Sequence, residues 1–91
     1  MNDEIETLRE RLTTYLADVL HAPDVKLVRS SIARLFVSVT SETFENMDDG
    51  LRQEIVWQRF LDTLNPDERR RLEFVFTYAP SELAEPVANE G

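Results

Sequence analysis

The chain has 91 residues, 42% of them hydrophobic and 31% charged, which supports one modest core and is too apolar for a disordered chain. Eighteen acidic residues against ten basic ones give a formal charge of −8, a field that repels nucleic acid and anionic membranes at long range and favours a protein partner with a basic surface. The absence of cysteine excludes disulfides, thiolate metal sites and cysteine nucleophiles within the chain.

The N-terminal stretch is charged and periodic, without the apolar run of a signal peptide, and no segment approaches membrane-span length. The expectation is a cytoplasmic protein. Ile5, Leu8, Leu12, Tyr15, Leu16, Val19 and Leu20 recur at three- and four-residue intervals behind an acidic first turn of Asp3, Glu4 and Glu6, so the first element is an amphipathic helix. Pro23 ends it near Leu20 or His21 and biases Ala22 toward extended geometry.

VKLV from Val25 and LFVSVT from Leu35 flank the polar pivot RSSIAR and read as an antiparallel hairpin. In the second strand Leu35, Val37 and Val39 share the more apolar face, leaving Phe36, Ser38 and Thr40 on the other. Asp48 or Asp49 then caps a second helix with a stripe of Leu51, Ile55, Val56, Trp57, Phe60, Leu61 and Leu64. Asn65, Pro66 and Glu68 mark the start of a short third helix that carries Arg69, Arg70 and Arg71. LEFVFTY alternates Leu72, Phe74, Phe76 and Tyr78 against Glu73, Val75 and Thr77 as a third strand. The order is αββααβ, and the helical crossover makes the second and third strands parallel with a right-handed connection. Residues 1–83 form one domain, followed by a flexible acidic tail over 84–91.

Ser41, Glu42, Phe44 and Glu45, then Arg52, Val56 and Trp57, and finally Thr77, Tyr78, Pro80 and Glu82 resemble the motif positions of the BolA-like proteins. The resemblance runs from about Glu4 to Leu83 and implies an αββααβ fold similar in topology to one class of KH domains. It also implies a glutaredoxin partner and a link to iron and sulfur handling. The family histidine that follows the helix arginine is Gln53 here, and the histidine that opens the third strand and ligates iron is Arg71. The hairpin loop that can add a ligand is reduced to Ser30, Ser31 and Ile32. Any iron ligands would therefore come from the partner. Ungapped matching puts Glu73 at an apolar core position, whereas periodicity puts Phe74 there, and a slip of one residue exchanges the two faces of the strand.

Few residues carry chemistry. His21 is the only histidine and reads as a helix-end or exposed side chain rather than a catalyst. Asp48 and Asp49 lack the spacing of a calcium loop and read as caps. Arg69, Arg70 and Arg71 are the alternative nucleic-acid contact, but there is no GXXG loop, and Asp67, Glu68 and Glu73 flank the run for intramolecular pairing. The spacings of Trp57, Phe60, Phe74, Phe76 and Tyr78 fit core burial better than a stacking platform.

These readings converge on an α+β, αββααβ domain with a three-stranded mixed sheet and helices on one face. The expected function is a non-enzymatic adaptor or regulator without cofactor or metal, contacting a protein through Phe36, Ser38, Thr40 and Val75. A nucleic-acid-binding regulator is the alternative, and homo-oligomerisation stays open.

Overall fold

The computed structural model describes residues 3–31 and 34–83. The order is helix α1 (Asp3–Leu16), strands β1 (Asp24–Ser31) and β2 (Arg34–Thr40), a 3-10 turn (Glu42–Phe44), helices α2 (Asp49–Thr63) and α3 (Pro66–Arg71), and strand β3 (Leu72–Tyr78). The sheet order is β1-β2-β3, with β2 antiparallel to β1 and parallel to β3. This is the α+β, αββααβ arrangement expected. The polar pivot belongs largely to the strands: β1 runs to Ser31 and β2 starts at Arg34, with Ile32 and the residue after it outside the described residues. The tail expected over 84–91 also lies outside them.

Leu8, Leu12 and Leu16 of α1 and Val56 and Phe60 of α2 meet Val25, Leu35, Val37, Val39 and Val75 of the sheet in one core. Phe44, from the 3-10 turn, is fully buried among them. On α2 the buried side is Arg52, Val56 and Phe60, so the stripe is narrower than its apolar content implied. Leu51 and Leu61 are exposed. Asp48 accepts from the Leu51 N–H at 3.2 Å as the α2 cap. Asn65 and Glu68 complete a reciprocal capping box on α3, satisfying two otherwise orphaned donors.

Two corrections concern the corner after α1. The helix ends at Leu16, and the Leu16 carbonyl accepts from both Val19 and Leu20 as the chain tightens, which buries Leu20 and leaves Val19 exposed. Ala22 is not extended but has φ 42°. The His21 N–H donates to Thr43 Oγ1 at 2.9 Å and the His21 carbonyl accepts from Ser41 Oγ at 2.7 Å. With the peptide groups of His21 fixed on both sides, the turn into β1 falls on Ala22, against the local preference set by Pro23.

Candidate functional site

In β3 the register decides which aromatic residues reach solvent. Leu35 pairs with Leu72 but Phe36 pairs with Phe74, so Glu73 is an extra residue in the strand, a bulge that breaks the alternation. Leu72, Val75 and Thr77 are consequently buried, while Phe74 and Phe76 turn to the face opposite the helices. Their expected burial is corrected. Val75, expected as a contact on the open face, is 8% exposed and belongs to the core. Phe36, Ser38 and Thr40 alternate with the buried residues of β2 and are half-buried on the uncovered face.

The result is an aromatic patch. Phe36 lies 5.7 Å from Phe74 and 5.9 Å from Phe76, centroid to centroid, and Phe74 and Phe76 are 6.1 Å apart. Phe74 is 53% exposed, Phe76 41%, and Val28, opposite Phe36 on β1, 56%. Large apolar side chains contiguous on one uncovered sheet face have the character of a docking surface. Strand addition at the β3 edge is a different matter. The Tyr78 carbonyl accepts from the Ser41 N–H toward β2, so the carbonyls of Val75 and Thr77 point to the outer edge. They accept there from Gln53 at 2.9 Å and Arg52 at 3.4 Å, which blunts the edge.

The arginine run is largely engaged within the chain. Arg70 pairs with Asp67 at 2.7 Å and Arg71 with Glu4 at 3.1 Å, while Arg69 Nε is buried without a hydrogen-bond partner. With Arg11 and Arg34, Arg70 and Arg71 line a cleft of about 840 Å³ that also takes in Glu4, Asp67 and Glu68. Arg11 donates to Glu68 at 2.6 Å, and that bond, ahead of the backbone N–H of Asn65, lowers the Glu68 pKa. Three of the four guanidinium groups in the cleft are thus neutralised in place. His21 is exposed, with Nε2 3.8 Å from Glu42, and among the described residues no group of three or more His, Asp and Glu is arranged to hold a metal ion. No helix among them is long and apolar enough to cross a membrane.

No family model matches the chain, and no curated protein matches it. Among solved structures it is similar to BolA1 from Arabidopsis thaliana, with a TM-score of 0.60, 20% sequence identity, and coverage of 81% of this chain and 93% of that one. The fold is BolA-like.

Within the BolA-like fold, the residues that carried the sequence resemblance turn out to fasten the architecture. Arg52 is buried and donates to the Met47 carbonyl at 2.9 Å, to the Thr77 carbonyl, and through both terminal nitrogens to Glu82 at 2.9 and 2.8 Å. Its guanidinium also sits 5.6 Å from the Phe44 ring centroid. Glu82 Oε1 accepts from the Ala79 N–H, and Glu45 accepts from the N–H and hydroxyl of Ser81. Ser41 caps the 3-10 turn. These contacts tie the end of β2, the start of α2 and the turn after β3 together. At the two positions of the family histidines, Gln53 holds the Val75 carbonyl and Arg71 holds Glu4.

This clamp carries a pH signature. The hydrogen bonds from Arg52, ahead of the Ala79 N–H, hold the Glu82 carboxyl at about 2, below its ordinary 4.5. A folded-state pKa below the unfolded value gives stability that is present above about 4.5 and lost as pH falls toward about 2. Thermal melts over that window should therefore fall less steeply for Glu82→Gln than for the wild type, with the variant already less stable at pH 7.

Proposed function

We propose that the chain is a non-enzymatic member of the BolA-like family, an adaptor that holds a protein partner on the uncovered face of its sheet. One observation carries this reading: Phe36, Phe74 and Phe76 form a contiguous, partly exposed aromatic cluster although an alternative register of β3 would bury two of the rings. Aromatic side chains at the centre of an interface supply much of its affinity. The resemblance of sequence and fold supports the family. The nucleic-acid alternative draws less support, because Arg70 and Arg71 of the arginine run pair with Asp67 and Glu4.

Affinity enrichment from an extract of the source organism, followed by reconstitution of the captured complex, tests the reading. Phe74→Asp should weaken the reconstituted complex by about 30-fold, the loss of one interface hot spot. Leu61→Asp, a change at an exposed apolar residue of α2, should leave it intact. The reverse pattern would move the interface to the helical side.

A further inference from the structure

The cleft formed by α1, α3 and the start of β2 runs against the charge of the whole chain. Its lining sets Arg11, Arg34, Arg70 and Arg71 against three carboxylates, Glu4, Asp67 and Glu68, in a chain whose formal charge is −8. Two of the carboxylates are firmly held. Glu68 accepts from both terminal nitrogens of Arg11, at 2.6 and 3.4 Å, and from the Asn65 N–H at 3.1 Å, while Asp67 accepts from Arg70 at 2.7 Å within α3. The third is not. Glu4 meets Arg71 through one nitrogen at 3.1 Å, and its side chain is 78% exposed against 28% for the arginine. Arg34 is exposed and makes no ion pair among the described residues. Leu35 and Leu72 are register partners, so Arg34 and Arg71, which precede them, stand side by side where the two parallel strands begin. For two adjacent guanidinium groups there is one solvated carboxylate, and a positive charge is left over.

We propose that this cleft is a binding site for a small organic phosphate, whose phosphoryl group replaces the Glu4 carboxylate on Arg71 and draws in Arg34. A phosphate monoester carries close to two negative charges at neutral pH, which matches the two guanidinium groups once Glu4 has moved aside. A carboxylate would leave one of them unmatched. The planar guanidinium fork also binds phosphate oxygens two at a time. The cleft, at about 840 Å³, is of the size of small-molecule sites and far larger than a phosphoryl group, which leaves room for an organic part against Leu8 and the aliphatic stems of the arginines. A nucleic acid strand fits less well, because every further nucleotide brings another charge into the field of an acidic chain. The site uses none of Phe36, Phe74 and Phe76, so it stands or falls independently of the docking face.

Titration calorimetry on the full chain tests this with four probes: phenyl phosphate, inorganic phosphate, benzoate and a single-stranded oligothymidylate. Phenyl phosphate should bind at least about 10-fold more tightly than benzoate, and more tightly than inorganic phosphate. Arg34→Gln, at an exposed residue without an ion pair, should leave the circular dichroism melt unchanged and weaken phenyl phosphate at least about 10-fold. Glu4→Gln should tighten it by about 2–5-fold, the strength of one exposed ion pair, a gain that a purely structural contact between Glu4 and Arg71 would not produce. No binding of phenyl phosphate at millimolar concentration, or binding unmoved by Arg34→Gln, would overturn the proposal, as would a loss of affinity in Glu4→Gln. Benzoate binding as tightly would remove the preference for phosphate, and inorganic phosphate binding as tightly would remove the organic part; either result overturns the ligand class. An oligothymidylate that binds more tightly than phenyl phosphate would assign the cleft to nucleic acid instead.

Discussion

Val37→Asp will unfold the domain, while Phe36→Asp, one residue earlier on the same strand, will leave a cooperatively folded protein. Val37 is fully buried, with the apolar Leu27 and Val75 as its cross-strand neighbours. An unpaired charge there costs more than about 4 kcal/mol. A chain of 91 residues has about 5–14 kcal/mol of total stability, so most or all of it is consumed. Phe36 loses only its packing against Phe74 and Phe76 on a face that solvent reaches, about 1–1.5 kcal/mol. Circular dichroism melts of the two variants measure the difference. Equal destabilisation would mean that both faces of the sheet are covered.

Arg52→Met will cost about 2–3 kcal/mol, read from urea midpoints at constant m-value. The substitution keeps the aliphatic volume but removes donors to Met47, Thr77 and Glu82 in one step. The loss falls at the low end for a broken buried pair because Glu82 is 44% exposed at its side chain and can be rehydrated. Arg52→Lys should recover only part, since an ammonium cannot reproduce the two-pronged contact with the carboxylate while also reaching the Met47 carbonyl. A midpoint for Arg52→Met close to that of the wild type would show that the clamp is dispensable.

What could be read from the sequence was what local rules determine. The capping signals at Asp48 and at Asn65 with Glu68 depend on atoms a few residues apart, and both operate as expected. The alternation of Leu35, Val37 and Val39 set the buried side of β2, and the helical crossover set its parallel partner. The misreadings have nonlocal causes. In β3, LEFVFTY alternates without a break, yet the strand must set Leu72 against Leu35 and then Val75 against Val37, which no seven-residue pattern can encode. The two competing registers, with Glu73 or Phe74 inside, were both incomplete: the bulge puts Glu73 and Phe74 outside and Leu72 and Val75 inside. Ala22 takes its conformation from contacts made some twenty residues later in the chain, at Ser41 and Thr43.

The same distinction explains why the motif resemblance located the fold better than the function. Ser41, Glu45, Arg52 and Glu82 are matched because they bond one segment of this architecture to another. The positions where the family carries histidines are occupied by side chains that now make structural contacts. The aromatic cluster lies outside those motifs, on residues that a resemblance had no means of marking.

Backbone amide chemical-shift mapping of the labelled chain, with and without its reconstituted partner, tests the docking face most directly. The account predicts that the perturbed amides concentrate on β1, β2 and β3 around Lys26, Val28, Phe36, Ser38, Phe74 and Phe76. Perturbations confined to the outer surfaces of α1, α2 and α3, with the amides of Phe36, Phe74 and Phe76 unmoved, would contradict it.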